Sequence, residues 1–88
     1  MRLNVAALAV TAALVWSLSV FLVGISNLLW PPYGQAFLEL AASIYPGYHA
    51  EANFGSVIVG TLYALVDGAV VGAVFAWIYN LVASRSTP

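Results

Sequence analysis

Residues 56–83 read SVIVGTLYALVDGAVVGAVFAWIYNLVA, an apolar run interrupted by one charged side chain, Asp67. About 20 consecutive apolar residues cross a ~30 Å hydrocarbon core, so this stretch predicts a transmembrane helix. Gly60, Gly68 and Gly72 inside it, and Gly55 just before it, are compatible with that reading. In lipid a helix cannot exchange its backbone bonds for water, and glycine is tolerated. Trp77 and Tyr79 lie near its far end, where aromatic side chains anchor a span among the headgroups.

Toward the N-terminus, residues 5–29 (VAALAVTAALVWSLSVFLVGISNLL) contain neither charge nor proline. As a helix they reach roughly 37 Å, enough for a second crossing with some tilt. Trp30-Pro31-Pro32 ends the run, because proline lacks a donor and disfavours helix in the residue before it. Trp30 and Tyr33 are the expected anchors at this end. A cleaved signal peptide is the rival reading of this stretch. Its apolar run is about twice the usual length and no small-x-small cleavage site precedes Asn27, so a retained span is expected.

Between the spans, QAFLELAASIY at residues 35–45 repeats Gln35, Glu39 and Ser43 every fourth position, with Phe37, Leu40, Ala41 and Ile44 on the other side. This predicts a short amphipathic helix over about residues 34–46. Two placements are open: flat in the interface with its apolar face down, or packed as a cap against the span ends. Pro46-Gly47 breaks it, and YHAEANFG at 48–55 is a polar turn into the second span. The expected fold is therefore an all-α membrane protein of one domain, residues 1–88. It is a two-transmembrane-helix hairpin with a short interfacial amphipathic helix in the connection.

Composition supports lipid as the solvent. Of the 88 residues, 64% are hydrophobic and 6% charged, far below the charge a soluble surface carries. So short a soluble chain usually needs disulfides or a metal, yet there is no cysteine and His49 is the sole histidine. A net charge of −1 leaves no basic patch for nucleic acid. His49 and Glu51 do not make a metal site, and no catalytic constellation, phosphate loop or cofactor motif is present. Arg2 precedes the first span and Arg85 follows the second, whereas the connection carries only Glu39 and Glu51. The positive-inside rule then places both termini in the cytoplasm.

Asp67 is the one costly residue. A carboxyl at mid-bilayer costs several kcal/mol and nearly always faces protein or water. Counting levels along an antiparallel hairpin sets it opposite Ser17–Ser19, so a hydroxyl bond from Ser17 or Ser19 to Asp67 is expected. Three roles are open to it: a polar anchor that fixes packing, a contact for another subunit, or a proton- or ion-carrying group. Gly60, Ala64, Gly68, Gly72 and Ala76 form a small residue row at four-residue spacing, which lets helix backbones approach closely. That row suits an interface between subunits and equally suits packing on the chain's own first span. Two helices have little interior in which to hide a carboxyl, so the expected partners, besides the lipid bilayer, are further copies or other membrane subunits. Asn27, Thr61 and Asn80 are weaker polar signals, Asn80 as a cap, a partner contact or simply a solvated end.

The hairpin with a carboxyl in its second span is similar in outline to the ring-forming proteolipid of rotary ATP synthases. That family has a glycine-rich first helix and a basic loop; here the first span has only Gly24 and the connection has no Lys or Arg. A fuller resemblance rests on Leu3-Asn4-Val5, Phe37-Leu38-Glu39-Leu40, Ser43-Ile44-Tyr45-Pro46-Gly47-Tyr48, Gly55-Ser56, Asp67-Gly68 and Phe75-Ala76-Trp77-Ile78-Tyr79-Asn80. With these the chain resembles a family of small bacterial two-span membrane proteins sometimes labelled bacteriophage holin-like. The resemblance implies a bacterial inner (cytoplasmic) membrane location. Two-span holins usually carry a strongly basic cytoplasmic tail, and residues 84–88 hold one arginine. The expected function is a non-catalytic assembly or accessory subunit, with a holin-like pore former and an Asp67-based ion conductor as the alternatives.

Overall fold

The computed structural model describes residues 2–86 and consists there of three helices, α1 (Val5–Leu29), α2 (Gln35–Ile44) and α3 (Phe54–Ser86). α1 and α3 are each long and apolar enough to cross a membrane, and they form an antiparallel hairpin with the short α2 between them. Asparagine starts both long helices. Asn4 Oδ1 accepts from the Ala7 amide at 2.9 Å, and Asn53 Oδ1 accepts from the Ser56 amide at 2.8 Å. Each bond satisfies an amide that the first turn leaves without an intrahelical partner. The Asn53 cap lets α3 begin ahead of the apolar stretch.

Ala13, Ser17, Val20, Gly24 and Asn27 of α1 and Val57, Gly60, Ala64, Gly68, Gly72 and Ala76 of α3 are all buried, and Gly24 packs on Val57 where the long helices meet. At Gly68 and Gly72 contact is between backbones. A Cβ on Gly68 would stand 2.7 Å from the Ala12 carbonyl oxygen and 2.8 Å from Ala13 Cα. One on Gly72 would stand 2.8 Å from the Leu8 carbonyl oxygen. The small residue row thus lies against the chain's own first helix. At its upper end the row serves another neighbour: a Cβ on Gly60 would meet the Tyr48 ring at 2.8 Å.

α1 stops at Trp30, whose amide donates to Ser26 O before the cis Pro31–Pro32 peptide. Gly34 then turns the chain with φ +68°, where a Cβ would also strike Val23 Cγ1 at 2.5 Å. From there α2 doubles back along α1. Gln35 is bonded to Asn27 at one end and Tyr45 to Trp16 at the other. The two pairs lie about 15 Å apart along the axis, the full length of α2. α2 thus runs along α1 from the level of Asn27 to that of Trp16, farther from the span ends than a cap on them would reach. Leu38 and Ala41 are buried, while Leu40 and Ile44 stay 61% and 64% exposed. Residues 46–53 return without helix to the start of α3.

At the opposite end Asn80 clamps the N-terminal strand of chain. Its Oδ1 accepts from the Leu3 amide at 2.7 Å and its Nδ2 donates to the Leu3 carbonyl at 2.9 Å. A paired bond to one residue's backbone holds it as a sheet neighbour would. Asn80→Ala is expected to speed hydrogen exchange at the Leu3 amide about tenfold or more, in line with ~1 kcal/mol or so per bond lost. Unchanged exchange there would show that the clamp does not hold in solution.

Candidate functional site

Asp67 lies near the midpoint of α3, half-buried, one residue before the glycine that touches α1. Its Oδ2 accepts a 2.6 Å hydrogen bond from the Tyr45 hydroxyl. That hydroxyl in turn accepts from Trp16 Nε1 at 2.9 Å. The chain Trp16–Tyr45–Asp67 therefore ties all three helical segments together at one level, with each donor bond running toward the carboxylate. At 2.6 Å this O–H···O bond is at the short end of the range for such pairs.

The expected serine contact is not made. Ser17 Oγ donates to Leu14 O at 3.3 Å and Ser19 Oγ to Val15 O at 2.8 Å. Both hydroxyls are satisfied by carbonyls of their own helix, the usual recourse of serine inside a helix. Ser17 is buried in the α1–α3 seam, whereas Asp67 stands at the edge of that seam where the tip of α2 arrives. The carboxyl finds its donor on a third segment. Thr61 likewise bonds its own helix, at Val57 O.

Aromatic packing places the tip. Tyr45 stacks on Tyr63 with ring centroids 5.1 Å apart and planes 8° from parallel, and Tyr48 meets Tyr45 edge-on at 6.4 Å. The Tyr63 hydroxyl donates to the Pro46 carbonyl, and Phe37 sets its ring edge-to-face on Trp16 at 5.8 Å. Tyr45 and Tyr48 are 6% and 4% exposed. Burial raises the Tyr45 phenol above its ordinary range and its bond to Asp67 raises it further, while the Trp16 bond works the other way. The phenol thus stays a donor at neutral pH. Burial alone raises Tyr48.

A second polar cluster closes the top of the hairpin. Asn27, 1% exposed, donates through Nδ2 to Tyr33 O at 2.9 Å and to Gln35 Oε1 at 3.1 Å. Gln35 Nε2 donates to Ala50 O at 3.0 Å and to Glu39 Oε2 at 3.2 Å. It fastens α2 and the return leg to α1. Trp30, Tyr33, Trp77 and Tyr79 are exposed, the first pair at this end and the second near the other.

Below the α2 tip the seam is uncovered. A groove of about 310 Å³ is lined by Ala12, Trp16, Asp67, Gly68 and Val71. It continues along Leu8, Ala12, Val71, Gly72 and Phe75. Among the described residues no hydrogen bond reaches the Asp67 carboxyl other than that of Tyr45. No group of three metal-ligating side chains comes together among them either. Tyr45 and Trp16 were not singled out in the sequence as site residues; the available signals were Trp16 immediately before the Ser17–Ser19 level matched to Asp67, and a tyrosine at each side of Pro46-Gly47. Compared with protein-family models, curated proteins and solved structures, the chain matches none, and the Trp16–Tyr45–Asp67 site stands on its geometry.

Proposed function

We propose that the chain is a non-catalytic integral membrane protein acting as an assembly or accessory subunit of a membrane complex. In this reading α1 and α3 cross a bacterial inner membrane, and both termini, which Asn80 and Leu3 bring together, lie in the cytoplasm with Arg2 and Arg85. The outward faces of both helices suit lipid: Val10, Leu14, Leu18, Leu22, Val66, Val70 and Val74 are all exposed, an apolar surface that water would not tolerate.

The observation that carries the subunit role is the return leg. Pro46 and Gly47 are exposed and non-helical beside Asp67, at mid-length of the hairpin. Irregular backbone at such depth is tolerated where protein or water covers it, and not against lipid tails, because each unmet backbone group costs several kcal/mol. A lone hairpin offers no such cover on that side. Neighbouring protein supplies it.

Extraction from native membranes in mild detergent tests the reading. The chain is expected to migrate in a stable complex larger than itself, and a solitary monomer would overturn the proposal. Regulated overexpression is expected to be harmless; growth arrest with collapse of the membrane potential would instead identify a holin-like pore.

A further inference from the structure

We propose that the end of the hairpin where Asn80 clamps Leu3 holds the phosphate of an anionic phospholipid, in a cavity of about 180 Å³ lined by Arg2, Val5, Trp77, Asn80, Leu81 and Ser84. The inference rests on α1 and α3 crossing a membrane and is independent of the subunit role. The clamp builds the site. By fixing Leu3 against α3 it carries the adjoining Arg2 to the same cavity, so a residue ahead of the first helix is held beside the last turns of the third. The lining is graded along the hairpin. Val5 and Leu81 lie toward the spans, and Arg2 and Ser84 lie away from them. An apolar floor under a cationic rim fits the head of a lipid better than it fits a free anion, as in basic pockets between spanning helices.

No acidic side chain of the protein neutralises Arg2. Asp67 stands roughly 20 Å from Asn80 along α3, and Glu39 and Glu51 lie beyond it on α2 and the return leg. Donors join the guanidinium in the lining. Asn80 Nδ2 spends one hydrogen on Leu3 O and keeps a second, and the indole N–H of the exposed Trp77 has no acceptor among the described residues. Val5 opens α1 and brings the positive end of that helix to the cavity. The carbonyl end of α3 opposes this, but it runs on to Ser86 with Arg85 in its last turn. A guanidinium matches the paired oxygens of a phosphate. Ser84 Oγ already donates to Leu81 O at 3.1 Å, which leaves it an acceptor only. A choline or ethanolamine head would bring a cation to a site that holds one and offers no carboxylate. The lipid is therefore one whose head carries phosphate and no ammonium, such as phosphatidylglycerol.

The test titrates the full chain in mild-detergent micelles with phosphatidylglycerol or phosphatidylcholine of identical acyl chains, and native mass spectrometry counts bound lipid. The first phosphatidylglycerol is expected to bind about tenfold or more tightly than the first phosphatidylcholine, the scale of one or two hydrogen bonds to a charged group. Arg2→Gln should erase the difference. Asn80→Ala frees the N-terminal segment but leaves both arginines, and should lower the preference by about threefold or more. Arg85→Gln, outside the cavity, should leave it intact. Inorganic phosphate in large excess should not displace the lipid. Equal binding of the two lipids overturns the proposal, as does a preference unchanged in Asn80→Ala. Equal losses in Arg2→Gln and Arg85→Gln would reduce the effect to net charge and overturn it too. Displacement by inorganic phosphate would make the ligand a free anion and overturn the lipid assignment. Flotation with liposomes separates the two levels of inference. A chain that does not insert removes the membrane reading, whereas one that inserts and binds both lipids alike removes this site alone.

Discussion

Gly68→Val is expected to open the hairpin. The first atom of any side chain at this position would lie 2.7 Å from the Ala12 carbonyl oxygen and 2.8 Å from Ala13 Cα. Both are backbone atoms, so no rotamer change on α1 can make room; one helix must move. Inserting a single methylene into a close-packed site costs about 1–3 kcal/mol, and valine adds three carbons. Against this, replacing glycine improves helix propensity by less than ~1 kcal/mol. The packing loss wins, by about 2 kcal/mol or more. Thermal unfolding in detergent, followed by near-ultraviolet circular dichroism, should show a clearly lower midpoint, with Gly68→Ala intermediate. Val70→Leu, two residues on at an exposed position, should leave the midpoint where it is. If Gly68→Val melts with the wild-type chain, the close α1–α3 contact is not what holds the hairpin.

Tyr45→Phe should release the tip of α2 while leaving the hairpin closed. One hydroxyl is lost, but two partners are stranded: the Asp67 carboxyl, which accepts from it, and the Trp16 indole, which donates to it. Leaving a buried polar group unmet costs about 1–3 kcal/mol, more when it is charged. α2 is ten residues long, too short to persist without its packing, and its remaining ties are the Gln35 cluster at the far end and aromatic contacts. Those contacts survive the change to phenylalanine, so the loss falls on the polar chain. In a background of Trp30→Phe and Trp77→Phe, the emission of Trp16 should shift in Tyr45→Phe, and amides of residues 47–53 should exchange faster by about tenfold or more. Unaltered Trp16 emission and exchange would show that the hydroxyl does not hold the tip.

The architecture was legible because its signals are local. Apolar length, the Trp30-Pro31-Pro32 stop and the Pro46-Gly47 break each depend on neighbouring residues alone, and they mark the three helices. The small row from Gly60 to Ala76 was legible as a packing face, but sequence spacing does not say which helix will fill it. The partner of Asp67 was misread for a related reason. Matching levels along a two-helix hairpin brought Ser17–Ser19 close to the correct height, one residue past Trp16, yet it assumed that only α1 could face α3. The donor came from α2, whose direction is set by the turn at Gly34 and by the Asn27–Gln35 bond, and neither announces a course back along α1. The asparagines were under-read as well. Asn4 and Asn53 cap helices, while Asn27 and Asn80 tie separate segments, roles that depend on which backbone groups three-dimensional contact brings near.

The paired bond between Asn80 and Leu3, residues 77 positions apart, bears on how the protein is made. A ribosome releases the chain from its N-terminus, and each polar group must wait for whatever satisfies it. Asn27 waits briefly, since Tyr33 and Gln35 follow within eight residues. Asp67 does not wait at all: Trp16 and Tyr45 have both been synthesised before it emerges. Leu3 is the exception, its backbone unclaimed until nearly the whole chain is out. The clamp therefore closes only after residue 80 has been made, later than the partners of Asn27 and Asp67 become available.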